Sequence, residues 1–214
     1  MNKFPLVLIV LSVLFHACAQ DRNKSTTGHT KISVPRVLQH YILTDYLSNN
    51  KQLDKDVEKV FSALDDTAIV AQLIMPAIGR LGQTESTIKT LIKNRLIGGI
   101  LMLNGSKDEF SNWIKQFEKM NDSIGNLPFL YSADAEPSLI NKKIIGSTPV
   151  KKANELTSIE EVRNVAKTIS EELNAIGINY NFSPVVDMSP NRTVGFRSFG
   201  AVPANIIPWS AAFI

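Results

Sequence analysis

Apolar runs alternate with amphipathic stretches along this chain, and that alternation limits its fold more than any other feature. "DKDVEKVFSALDD" puts Val57, Val60, Phe61 and Leu64 on one helical face. "AQLIMPA" follows, a compact apolar run closed by Pro76 and counted as the first strand. "ESTIKTLIKNRL" repeats Ile88, Leu91 and Ile92 at helical spacing, and "GGILMLN" is a second, buried strand opened by Gly98 and Gly99. "SKDEFSNWIKQFEKM" starts with a capping box, Ser106 and Glu109, and is expected to bury Phe110, Trp113, Ile114 and Phe117. "LPFLYSAD" is the third strand. The longest periodic segment, "SIEEVRNVAKTISEELNAIG", sets Ile159, Val162, Ala166, Ile169, Leu173 and Ile176 at steps of three and four, with Ser158 and Glu161 capping its start and Gly177 its end. "INYNFSPVVD" is the fourth strand.

Strands that alternate with helices, and are apolar on both faces, predict an α/β fold with a parallel sheet, either an open doubly wound sheet or a barrel. No G-x-G-x-x-G follows the first strand and no Walker loop occurs, so a nucleotide-binding open sheet has no support. Polar residues gather instead at the strand ends, at Asn104, Asp134 and Asp187. In a (β/α)-barrel that end carries the site.

The N-terminus has a different character. "MNKFPLVLIVLSVLFHACAQ" carries Lys3, an apolar run from Phe4 to Phe15, and small residues around the only cysteine. The run is too short for a spanning helix and reads as a secretory signal over residues 1–17. Cys18 sits where a bacterial lipoprotein is lipidated, so a membrane partner through a lipid anchor is expected, in the outer membrane or periplasm. Simple secretion is the alternative. Residues 18–52 are assigned to the lipidated cysteine and a polar tether, and residues 53–214 to the folded part. The net charge of +3 is scattered and gives no reason to expect nucleic acid. His16, His29 and His40 all precede the core, which leaves the folded part without a histidine metal site or triad, and no cofactor is expected.

"INYNFSPVVDMSPNRTVGFRSFG", with "ISEELNAIG" and "PFLYSADAE" before it, resembles the N-terminal barrel of glycoside hydrolase family 3, in particular the β-N-acetylhexosaminidases among bacterial lipoproteins. The resemblance runs from about Val57 to Gly200. It implies that Asp134 and Arg197 hold the sugar ahead of the scissile bond. A carboxylate accepts from vicinal hydroxyls and a guanidinium donates in a fixed fork. It makes Asp187 a loop organiser, and it expects Phe196 and Phe199 to fix the Arg197 loop and shield the pair from water. Each residue also has a plainer reading: Asp134 as a turn cap before Pro137, Arg197 paired with a surface acid, Asp187 in an Asx-turn.

The chain departs from the family at Pro137, where glycine is usual, and at Ala201–Pro203, where an acidic segment is usual. The retaining mechanism of the family needs a carboxylate nucleophile and a separate acid/base. The family places both after the fourth strand, and the Lys-His motif that goes with them does not occur here. A complete barrel takes roughly 250 residues. The expectation is therefore about the first four β/α units of a (β/α)8 barrel, from a fragment or a truncated product, poorly soluble and without catalytic residues of its own. The implied activity is hydrolysis of terminal N-acetylglucosaminides in cell-envelope or chitin-type glycans. The alternatives are a β-glucosidase of the same family and a non-catalytic, degenerate sugar-binding remnant.

Overall fold

The computed structural model describes residues 40–188 and 194–214. The signal segment, Cys18, most of the tether, His16 and His29 lie outside the described residues.

Two helices open the described chain, α1 (Leu43–Leu47) and α2 (Lys51–Phe61). Asn50 caps α2 by accepting from the amides of Gln52 and Leu53. Then α3 (Asp66–Ala71) leads to β1 (Ala77–Ile78), α4 (Glu85–Lys93), β2 (Gly99–Met102), β3 (Gly105–Ser106) and α5 (Lys107–Ser123). The remainder is β4 (Leu130–Ala133), α6 (Ile140–Lys143), β5 (Ile144–Ile145), α7 (Ile159–Ile176), β6 (Tyr180–Asn181) and α8 (Pro203–Phe213).

The main sheet has the order β1-β2-β4-β6, and every pairing is parallel. β3 and β5 form a separate parallel pair. A doubly wound sheet reverses direction at a switch point. Here each β/α unit adds its strand beside the previous one without reversal, which is how a barrel winds. The strand order thus decides between the two architectures that periodicity left open.

Register shows which face the core uses. Ile100 lies opposite Tyr131, and both are fully buried with Ile88, Ile92, Phe110, Ile114, Phe117 and Ile169 from α4, α5 and α7. Leu101, Ser132 and Tyr180 lie opposite one another on the other face. On that face Leu130, Tyr180 and Phe182 are each about half exposed, at 47%, 45% and 51%. The strands are buried on the helix-covered face, while the other face is buried at Gly99 and Ser132 and open at Leu130 and Tyr180.

Several elements differ from their expected form. Strand β1 begins after Pro76, not at Ala71. The Asp65 carboxylate accepts from the Ala68 amide and starts α3, so Ala71 ends a helix and Gln72–Leu73 is a turn. The short apolar run could not be assigned by periodicity alone. The fourth strand keeps its ladder for two residues. It pairs with β4 on one side and, among the described residues, has no strand on the other. Trp113 is half-buried, because its indole N–H reaches out to Glu85, 3.1 Å away. The α5 capping box forms as expected. In α7, Ser158 accepts from the Glu161 amide, while the Glu161 carboxylate takes the amide of Thr157, one residue earlier than a capping box would have it. Gly177 closes α7 at φ +90, a conformation that disfavours a side chain.

Candidate functional site

Asp134 directly follows β4, and Asn181 ties that end of the sheet together. Its side chain accepts from the Ala135 amide at 3.0 Å and donates to the Ala135 carbonyl at 3.3 Å. The Phe182 amide reaches the Ala133 carbonyl at 2.9 Å. The chain past β4 and the chain past β6 therefore leave the sheet at the same, C-terminal end.

Glu136 carries the next turn. Its carbonyl accepts from the amides of Leu139 and Ile140 and leads into α6. Pro137 fits at the start of this turn because its missing N–H would have no partner there. The departure from glycine is thus accommodated in the backbone. Ser138 then joins the two loops. Its hydroxyl donates to the Phe196 carbonyl at 2.7 Å and accepts from the Ala153 amide at 2.9 Å.

On the opposite loop, "RSFG" divides its work by residue. The Arg197 amide closes a turn onto the Val194 carbonyl at 2.8 Å. Ser198 is buried and its hydroxyl braces Gly200, which sits at φ +126, a conformation that glycine adopts without strain. Phe199 is buried and packs on Trp209 and Phe213 of α8, with ring centroids 6.0 and 6.2 Å away. Phe196 is about a third exposed, at 36%, so of the two rings Phe199 is the one buried against α8.

The result is a charged group at one end of the sheet. Arg197 Nε donates to Glu136 Oε1 at 2.6 Å, and Glu136 is fully buried. Asp134 is bound by Lys143 Nζ from α6. The hydrogen bond to Glu136 raises the Arg197 pKa above its ordinary value. Partial burial works the other way, and the charges of Glu136, Asp134 and Asp187 add to the rise. The structure thus brings Asp134 and Arg197 to one end, with Asp187 exposed on the segment that follows β6. The acid facing Arg197 is buried, not a surface one. The recorded side-chain partner of Asp134 is Lys143, not a turn amide. The Asx-turn considered for Asp187 runs into residues outside the described ones.

Sequence reasoning missed Lys143 and gave Glu136 no role. Glu136 is two residues from Asp134 and was visible as an acid in a strand-end loop. Lys143 is in reach of Asp134 only because α6 folds back, and nothing in the sequence spacing announces that. A separate cleft of about 430 Å³ lies at the ends of β1 and β2, beside Arg80, Asn104, Trp113 and Lys142. Neither Asp134 nor Arg197 lines it.

A singly wound parallel sheet with helices on one face and ionisable side chains at its C-terminal end defines part of a (β/α)-barrel enzyme fold. The model of the glycosyl hydrolase family 3 N-terminal domain matches residues 66–214, and the chain belongs to that family. Beta-hexosaminidase LpqI of Mycobacterium tuberculosis is 26% identical over 151 residues, 67% of this chain and 37% of that protein. The chain therefore spans well under half the length of this relative. Among solved structures, a family 3 beta-N-acetylglucosaminidase from Paenibacillus sp. superposes with a TM-score of 0.61 at 25% identity, over 71% of this chain and 30% of that one. Beta-glucoside phosphorylase BglX superposes at 0.62 with 19% identity, over 76% of this chain and 30% of that one, and shows the shared fold.

Proposed function

We propose that this chain supplies the sugar-holding side of a family 3 glycosidase site specific for terminal N-acetylhexosaminides. Asp134 accepts hydrogen bonds from adjacent hydroxyls of the non-reducing sugar, and Arg197 donates to the same sugar from the opposite loop. The observation that carries this reading is that Arg197 reaches across to Glu136, two residues past Asp134, at the C-terminal end of one parallel sheet. The hexosaminide preference leans on the LpqI relative, named as a beta-hexosaminidase, and on the Paenibacillus enzyme, named as a beta-N-acetylglucosaminidase. Lys143 neutralises Asp134 without sugar and shares it once hydroxyls arrive. Asp187 orders the loop between β6 and Arg197.

The test is calorimetric titration of the chain with N-acetylglucosamine and with glucose. The expected result is binding of the N-acetyl sugar, weakened at least about tenfold in Asp134→Ala. Equal binding of both sugars favours the β-glucosidase reading. Binding unaffected by Asp134→Ala removes the proposed clamp.

The cellular setting is proposed on the sequence of the first 18 residues: lipidation at Cys18 holds the domain at the bacterial envelope. Among the described residues no helix is long and apolar enough to cross a membrane. Mass spectrometry of detergent-extracted protein checks the anchor. A diacylated Cys18 as first residue is expected, and an unmodified Cys18 contradicts it.

A further inference from the structure

Glu136 is the only charged residue in the buried set of the described residues. A carboxylate in that position is costly unless it is paired. Its one recorded partner is Arg197, and the contact is side-on, through Nε at 2.6 Å. Side-on pairing differs from the fork-to-fork contact in which a guanidinium spends its terminal nitrogens on the acid. Here both terminal nitrogens keep their N–H groups, and among the described residues no protein acceptor is recorded for them. The two partners also differ in how they are held. Glu136 is three residues past β4 and starts the turn into α6, whereas Arg197 sits on a loop that ends in a glycine at positive φ.

We propose that Glu136 is a positioning residue: it grips Arg197 by Nε and so fixes the plane in which the two terminal nitrogens meet the sugar. It touches no substrate itself. This rests on the sugar-holding role of Arg197 given above. An arginine tethered by Nε alone cannot rotate its fork away, so little freedom is lost when hydroxyls bind. Lysine has no equivalent of Nε and would escape the grip.

The experiment follows the Arg197 Nε–H by nitrogen-edited nuclear magnetic resonance, beside titration with N-acetylglucosamine. In the unaltered chain one arginine Nε–H is expected to be shifted and slow to exchange with water, and Arg197→Lys removes that signal. Glu136→Gln is expected to return it to the range of exposed arginines and to weaken sugar binding about tenfold. Glu136→Gln added to Arg197→Lys should cost little beyond Arg197→Lys alone, because the two act through one contact. If Glu136→Gln does not fold, Glu136→Asp serves in its place. It keeps the charge but draws the carboxylate back by one methylene, and the same loss of signal and affinity is expected. A merely structural Glu136 would lower the unfolding midpoint and leave the Nε–H and the affinity of folded protein unchanged, which overturns the proposal. If the unaltered chain binds no N-acetylglucosamine, the sugar-holding reading fails, while the Nε–H comparison still decides whether Glu136 fixes Arg197.

Discussion

Arg197 stands between two phenylalanines because the loop needs an anchor on one side of it and none on the other. Phe199 is buried against α8, and Phe196 is partly exposed. Phe199→Ala is therefore expected to cost about 3–5 kcal/mol, as large core truncations do. Phe196→Ala should cost less, about 1–2 kcal/mol, because that ring is only partly covered. Urea unfolding of the two variants separates them, and equal losses would place the anchor elsewhere. The Asp134–Lys143 pair is partly exposed on both sides, so Lys143→Met should change stability by less than about 1 kcal/mol. Asp134 and Arg197 were legible as site candidates from the strand-end pattern and the "RSFG" loop. Their actual partners were not, because Glu136 meets Arg197 across 61 residues of sequence and only the fold closes that distance.

Among the elements, α7 was the most legible, since its apolar stripe and both caps are local features. Its N-terminus also gives a pH prediction. The Glu161 carboxyl is drawn down to about 2, first by Lys151, with Nζ 2.5 Å from Oε1, and then by the amide and hydroxyl of Thr157. A carboxyl with a folded pKa below its unfolded value contributes stability that is complete above the unfolded value, near 4.5, and fades as pH falls toward about 2. Thermal unfolding should thus show a smaller loss between pH 7 and pH 2 in Glu161→Gln than in the unaltered chain. An identical loss would mean the contact does not survive in solution. Ser158→Ala should cost about 1 kcal/mol, the usual value of an N-cap. β1 and β6 were less legible. Each is two residues long, and strands that short are set by their neighbours in the sheet more than by their own sequence.

At the scale of the molecule, parallel α/β winding was readable from the alternation of patterns, whereas the choice of barrel over open sheet rested on the polar strand ends and the family resemblance, and the strand order bears it out. Strand order is a property of pairing between distant segments. The pairing also leaves Leu130, Tyr180 and Phe182 exposed on the face away from the helices. Exposed apolar side chains beside a strand edge promote association between chains, and among the described residues β6 is paired on one side alone. Sedimentation velocity is expected to show concentration-dependent assembly, reduced when Phe182 is replaced by Lys. A monomer at all concentrations would contradict it. The proposed holding of an N-acetylhexosamine by Asp134 and Arg197 at the C-terminal end of this sheet is tested by a crystal structure of the chain grown with N-acetylglucosamine. The expected result is a sugar ring with adjacent hydroxyls on the Asp134 carboxylate and one oxygen within hydrogen-bond reach of an Arg197 terminal nitrogen. A sugar bound only in the cleft beside Arg80 and Trp113, or an empty strand end at saturating sugar, would contradict it.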